Sequence, residues 1–423
     1  MALLIGTMLV LLVVGMPVAF AIAIAAGVYI LVSGEVRPVV LAQMTVSGAD
    51  SFILLAVPFF VFAGELMNRG GITRRLVVFA ESVVGGIRGG LAHVVVIVNM
   101  IMAGVSGAAI ADAAAVGSVM IPSMVQKGYR RGFAGAVNAA AATVGPVIPP
   151  SVGFIIYASL ANVSVGKLFL AGAVPGVIMG LYMMGVCGVV AHRSGLPRGQ
   201  RTSIRKLLVG LKDAFLALLM PVIILGGILG GIVTPTEAGV LAVIYGLGVG
   251  GLVYREIGLR DIPYLLARSA KQSAVIMFII ACAKTFGWLL THMGAPQTLM
   301  NAFGSISDQT WVFLLIMNAI IIVLGCFMEG GSIMIILTPV LLPVLAKYGV
   351  DLIHFGVVFQ LNIMIGLLTP PVGMLLYVIT GVSNIPMNEM LREVWRFFIV
   401  ILVVLLLVTF VPSIAMFLPE MMA

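Results

Sequence analysis

The chain has 423 residues, of which 62% are hydrophobic and only 9% charged, with 23 Lys and Arg against 15 Asp and Glu. A soluble globular domain carries about 25% charged residues, so this composition excludes one and indicates an all-α polytopic membrane protein. The positive surplus sits in short loops, where it reports orientation and carries no nucleic-acid signature. Cys187, Cys282 and Cys326 are isolated, with neither C-x-x-C nor metal-ligand spacing, and read as small apolar fillers. The longest polar stretch is about twenty residues, a membrane-span's length at most, so any chemistry lies within the bilayer or belongs to a partner.

In chain order, Met1–Gly34 is uncharged and has no basic n-region, which predicts a retained first span and not a cleaved signal peptide. Basic segments then mark cytoplasmic loops: Arg69–Arg88, the "QKGYRR" of Gln126–Arg131, His192–Lys212, and Tyr254–Lys271. The third is the clearest, with Arg193, Arg198, Arg201, Arg205, Lys206 and Lys212 and no acidic residue. Between the first two lies an apolar segment, 89–126, whose middle reads "AGVSGAAIADAAAVGS" without any outward loop signal. Both its ends are basic, so it is expected to be a re-entrant hairpin whose tip stops near the midplane. Segment 308–348, centred on "CFMEGGSIM", is its mirror case, since its ends lack basic clusters apart from Lys347. Uncharged runs at Ala214–Thr236, Ala238–Tyr254 and Phe397–Pro419 meet the roughly 20-residue length of a span.

Two further uncharged stretches carry nearly the same phrase: "VGPVIPPS" at Val144–Ser151 and "IGLLTPPV" at Ile365–Val372. Proline interrupts a helix, and irregular backbone survives at membrane depth only where protein or a cavity surrounds it. Segments 132–160 and 355–383 are therefore expected to be broken helices at a site. Gly128 aligns with Gly349, Gly145 with Gly366, and Pro149-Pro150 with Pro370-Pro371; after one dropped residue, Tyr157 meets Tyr377. The chain thus divides into a first repeat (1–213), a connecting span (214–235) and a second repeat (236–423). The odd connecting span makes the repeats inverted in topology. In such transporters, unwound carbonyls at the breaks hold cations and half-helix N-termini face anionic substrate. Thr369 is placed to cap the second half-helix with Pro370 at its first position. Ile148 holds the matching place in the first repeat, leaving its N–H groups to a ligand or to Ser151.

At these residues the sequence resembles the large membrane subunit of tripartite ATP-independent periplasmic (TRAP) transporters, the type found in C4-dicarboxylate and sialate systems. The stretches that carry the resemblance run from Ser106 to Ser151, through "GGIVTPTEAGVLAVIY", and from Gly330 to Val378. The resemblance covers essentially the whole chain. It implies a non-enzymatic, elevator-type secondary transporter in a bacterial inner membrane, driven by a sodium gradient and without organic cofactor. It also implies two protein partners, a small four-helix membrane subunit, not fused to this chain, and a periplasmic substrate-binding protein, with membrane lipid around them. The cargo is a small organic carboxylate whose identity rests with the binding protein. The first tip, "GVSGAAIAD", is Ala-rich, which places weight on Ser106 and on backbone carbonyls.

Sodium is a hard cation that takes oxygen ligands, so the candidate ligands are tip hydroxyls and break-region carbonyls. They are Ser106, Gly145, Ile148 and Pro149 for one ion, and Ser332, Gly366 and Thr369 for the other. Candidates for the organic anion are Gly107, Ser151, Glu329, Gly330 and Asn362. Small tip residues also serve close helix packing, and either role suits each of them. Asp112 and Glu329 are acidic inside hairpins, where they belong to the site or pair with a half-helix N-terminus. Asn138, Tyr157 and Tyr377 face the site or a neighbouring helix. Lys284 snorkels or holds Glu237 or another carboxylate, and "TPTEAG" shapes the scaffold or a docking surface. No chemistry is assigned to His93, His192, His292 or His354.

Two rivals carry distinct signals. "GVSG" matches a Gly-x-Ser-Gly nucleophile pattern of intramembrane serine proteases, but Ser106 would need a His at its own depth. His292 is the nearest candidate, and a protease needs no second broken helix. A stand-alone sodium/divalent-anion symporter shares hairpins and inverted repeats but needs no partner subunits.

The charge pattern predicts that Gly128 faces the cytoplasm and Gly349 the periplasm. Cysteines placed at each, probed by an impermeant thiol reagent in intact cells, are expected to react only at the second. Labelling of both from outside removes the inverted topology.

Overall fold

A backbone in hydrocarbon must satisfy its own hydrogen bonds, so apolar runs become helices wherever proline and glycine permit. The computed structural model describes residues 1–196, 198–199 and 203–421, which leaves Arg201 of the basic loop outside the described residues. Among the described residues, eight helices are long and apolar enough to cross a membrane.

The first 34 residues depart from the expected single span. They form α1 (Ala2–Val13) and α2 (Val18–Ser33), two shorter helices packed on one another. Gly15 at φ +88° reverses the chain and Pro17 opens α2, so no continuous helix can form. Then come α3 (Val39–Ala49), α4 (Ala56–Arg69) and the amphipathic arm α5 (Ile72–Val84). Helices α6 (Gly90–Ser106) and α7 (Ala109–Gln126) pack together and are joined only by Gly107 and Ala108. The first broken helix is α8 (Arg131–Ala142) and α9 (Val152–Ala161), followed by the long α10 (Val165–Arg193).

The connecting span is α11 (Ile204–Leu229), which starts ten residues earlier than its uncharged core because Ser203 caps it inside the basic loop. "TPTEAG" is a capping box. Thr234 accepts from the Glu237 amide while Glu237 accepts from the Thr234 amide, and Pro235 opens α12 (Pro235–Leu247). The second half continues with α13 (Ile262–His292), the arm α14 (Ala295–Ile306), α15 (Thr310–Gly325) and α16 (Gly330–Lys347). The second broken helix is α17 (Leu352–Leu368) and α18 (Met374–Ser383). The final apolar run is also divided, into α19 (Met387–Phe410) and α20 (Ser413–Met421), with Pro412 between them.

Helices α8 and α17 form the centre. Every residue from Gly132 to Ala142 and from His354 to Leu368 is buried, as expected of helices apolar on all faces. Helix α9 packs on α16 and α18 on α7; likewise α8 packs on α19 and α17 on α10. Each half therefore contributes packing partners to the other. At the edge, α13 lies against α2, α3 and α4, and Gly48 of α3 lets the Ala281 backbone approach. Lys284 donates to the Ser47 carbonyl and hydroxyl at 3.1 and 3.0 Å, so it closes the end of α3 and does not hold Glu237.

In the second half α15 crosses α17 closely, and a Cβ on Gly366 would lie 2.6 Å from the Gly325 backbone. Gly366→Val is expected to lower the midpoint of thermal unfolding in detergent by about 5 °C, from about 1–3 kcal/mol of overpacking. Gly185→Ala, with nothing within 4 Å, should leave it unchanged. Equal midpoints in a fluorescence-detected melt would show that the crossing tolerates side chains.

Candidate functional site

The two helix junctions and the two broken helices meet around a cavity of about 180 Å³. Gly107 to Ala111 line it from the first junction, Glu329 to Gly331 from the second, and Pro146, Val152 and Gly153 from the first break. Gln360, Ile363 and Met364 of α17 and Gln272 of α13 complete the wall. Gly107, Glu329 and Gly330, assigned to the organic anion from sequence, all line this cavity. Asn362 does not. It donates to Asn318 Oδ1 and to the Val358 carbonyl, both at 2.8 Å, while Asn318 donates to Thr409 Oγ1. That chain of amides ties α17 to α15 and α19, away from the cavity lining.

At the first junction, Gly107 has φ +59°, and a Cβ there would strike the Pro150 carbonyl. A side chain is excluded twice over, by conformation and by space. Ser106 Oγ donates to Asp112 Oδ1 and accepts from the Ala108 amide at 3.3 Å, which closes the two-residue turn. Asp112 is fully buried and its Oδ2 has no hydrogen-bond partner; a Cβ placed on Gly145 would lie 2.9 Å from it. Ser106, Asp112 and Gly145 are thus brought together beside the Pro149-Pro150 turn. Ile148 instead presents its side chain to Gly176 of α10.

The breaks satisfy their backbones differently. Ser151 caps α9, accepting from the Phe154 amide at 3.3 Å and donating to the Pro146 carbonyl at 2.6 Å. Thr369 does not cap α18, contrary to the sequence expectation. Its hydroxyl turns back to the Ile365 carbonyl at 2.7 Å, and α18 begins after Gly373 in the left-handed conformation, without a side-chain cap. The reason is that Pro370-Pro371-Val372 forms a turn past the break, and the Val372 amide donates to the Cys326 carbonyl at 3.2 Å. Gly366 therefore packs on the end of α15, and the Thr369 amide donates back to the Gly366 carbonyl at 3.0 Å. Ser332 lies a turn into α16, where Glu329 Oε2 accepts from its amide and hydroxyl. Glu329 is thus both a helix cap and part of the cavity wall.

Among the described residues, Glu329 is the only ionisable side chain in this lining. An anion here has no Lys, Arg or His to meet it. What faces it is the N-terminus of α7, which has no side-chain cap and whose free amides favour negative charge. Gln360, 3% exposed, belongs to the cavity wall, and its Oε1 has no partner and lies beside Gly153. Gln272 and Gln360 escaped sequence reasoning. The available signal was a polar side chain in the middle of an uncharged run, weighed for Asn138 and Asn362 but not for Gln360. Asn138 donates to the Ala113 carbonyl and Tyr157 to the Leu352 carbonyl, both as helix ties. Ser106 bonds a carboxylate and no imidazole, which removes the geometric basis of a serine protease.

A fold of membrane-length helices around a cavity at two interrupted helices defines a membrane transport subunit. The family model "Tripartite ATP-independent periplasmic transporter, DctM component" matches residues 5–414, and the chain belongs to that family as its large permease subunit. It is 40% identical to the sialic acid TRAP transporter large permease protein SiaM of Vibrio cholerae, over 97% of this chain and 96% of that protein. It is also 40% identical to the C4-dicarboxylate large permease DctM of Pseudomonas aeruginosa, covering 88% and 87%. The 2,3-diketo-L-gulonate large permease YiaN of Escherichia coli is 37% identical, covering 95% and 94%. Among solved structures, Neisseria gonorrhoeae MtrF, described within a class of antimetabolite efflux pumps, aligns with a TM-score of 0.57 over 91% of this chain and 84% of that one. At 14% identity this likeness concerns the fold alone.

A Cβ on Gly153 would lie 2.5 Å from Gln360 Oε1. Gly153→Val is therefore expected to fill the cavity and to cut uptake about tenfold or more, the effect of roughly 1.4 kcal/mol of lost binding, with normal membrane insertion. Unchanged uptake would place the cargo elsewhere.

Proposed function

We propose that this chain is the membrane-embedded path of a sodium-coupled importer of small organic carboxylates such as C4-dicarboxylates or sialates. It works in a bacterial inner membrane with a small four-helix membrane subunit and a periplasmic binding protein. The observation that carries this reading is the charge make-up of the cavity. A cavity with a carboxylate in its wall and no basic side chain holds an anion only if helix N-termini and co-bound cations balance the charge. The orphaned Asp112 Oδ2 beside Gly145, with the Ser106 hydroxyl, supplies hard oxygen donors that fit sodium. Gly366 and Thr369, beside Gly325 and Cys326, offer a second group of carbonyl and hydroxyl oxygens. Ser332 contributes only where its bond to Glu329 is exchanged. In this reading each sodium compensates negative charge that the cargo would otherwise meet, which couples the two fluxes.

Segments 89–126 and 308–348 act as re-entrant hairpins in inverted repeats 1–213 and 236–423, joined by span 214–235. The phrase shared by the two breaks and the exchanged packing of α9 on α16 and α18 on α7 support the inversion. Neither short hairpin opens a route across the bilayer alone, so the hairpins and broken helices move as one block against α4, α5 and α11 to α14. That is an elevator motion.

Proteoliposomes holding both membrane subunits, supplied with loaded binding protein, should take up cargo only under an inward sodium gradient. Uptake without the partner proteins would favour the stand-alone symporter, and uptake without sodium would end the coupling assignment. Ser106→Ala and Thr369→Ala should both weaken sodium activation. Asp112→Asn should raise the half-saturating sodium concentration roughly 10- to 100-fold, the range for losing one charged partner, without loss of insertion.

The motion has its own test. Thr73 of the arm α5 touches Met102 of α6, with Oγ1 at 3.8 Å from the sulfur. Cysteines at these two positions, in a background lacking Cys187, Cys282 and Cys326, should form a disulfide that arrests uptake while binding-protein docking persists. Full uptake by the cross-linked protein would exclude block movement.

A further inference from the structure

Away from the transport cavity, the ends of α5, α6, α7 and α11 enclose a second and larger cavity of about 840 Å³. Its cations are Lys127 from the end of α7, Arg205 and Lys206 from the first turn of α11, and Arg198 from the loop before α11. Backbone pairing of Arg198 with Arg88 holds that loop against the link between α5 and α6. The single acidic residue among the described lining residues, Glu81, accepts from Lys127 at 3.0 Å. Among the described residues, no acidic side chain lies within 4.0 Å of Arg198, Arg205 or Lys206. Val78, Leu91 and Val209 give the same cavity an apolar part.

Three uncompensated cations at one opening repel one another, and the same opening exposes aliphatic surface. A small soluble anion would answer the charge but leave the aliphatic surface wet. An amphiphilic anion answers both. Helix ends at a basic loop lie at the cytoplasmic membrane surface, where anionic phospholipids are at hand and basic pockets between helices take their headgroups. The geometry points to a binding site for one anionic phospholipid, its phosphate held by Arg198, Arg205 and Lys206 and its glycerol and upper acyl carbons against Val78, Leu91 and Val209. The site is independent of sodium coupling and of the cargo. It joins the arm α5 and the connecting span α11 to the first two helices at the junction, so its lipid would brace the seam between them.

The test uses the full-length chain in nanodiscs of phosphatidylcholine doped with phosphatidylglycerol, released into native mass spectrometry. One phosphatidylglycerol should be retained per chain. Replacing Arg198, Arg205 and Lys206 together by Gln should weaken retention about a hundredfold, from about fivefold for each cation removed. Replacing Arg74, Arg260 and Lys271 by Gln, an equal loss of charge outside the cavity, should leave the retained lipid in place. Arg198→Lys with Arg205→Lys keeps the charge and should keep the lipid, which separates charge from folding. Equal loss in both Gln triples would reduce the effect to general surface attraction and overturn the site. Equal retention of phosphatidylcholine, or displacement of the lipid by millimolar inorganic phosphate, would overturn the lipid assignment. Failure to retain lipid, together with loss of small-subunit binding in the cavity triple, would make these cations a protein contact instead.

Discussion

The structure depends on burying two interrupted helices. An intact helix carries its hydrogen bonds with it, whereas a break in hydrocarbon leaves several peptide groups without partners at a cost of several kcal/mol each. Surrounding α8 and α17 with protein on every side removes the lipid from the problem. Ser151 then answers the Pro146 carbonyl, and Cys326 answers the Val372 amide. The rest of the architecture follows from supplying that envelope. Each break is closed by the junction of its own half, while the half-helix beyond it packs on the other half. Neither half could be complete alone.

Small residues make this envelope possible. Gly107 admits the Pro150 carbonyl and Gly366 admits the Gly325 backbone, so peptide groups approach where side chains would hold them apart. The same closeness concentrates backbone dipoles around a cavity with few charged side chains. The polar part of its wall consists of backbone amides at a helix end, Glu329, Gln272 and Gln360.

The two junctions are not copies in detail. The first is closed by Ser106 and Asp112 across two residues, with one carboxylate oxygen left over. The second is closed by Glu329 capping α16, with both bonds made inside one turn. The shared phrase at the breaks thus coexists with different polar chemistry at the two junctions.

By itself the sequence determined the membrane setting, the helical class, the positions of the breaks and the family. Each of these rests on local features: long apolar runs, the placement of Lys and Arg, and prolines that forbid a continuous helix. Gly107, Glu329 and Gly330, which the sequence assigned to the organic anion, line the cavity, since residues between two packed helices lie at their junction. Tertiary structure alone decided where polar side chains point. Asn362 and Gln360 are two residues apart on one buried helix; the first faces Asn318 and the second faces the cavity. Thr369 turned from the expected cap to the Ile365 carbonyl because the end of α15, some forty residues earlier in the chain, supplied the Cys326 carbonyl for the break. Composition and spacing carry no record of which neighbour offers a hydrogen bond. Inside a membrane that offer decides the orientation, because no water competes for it.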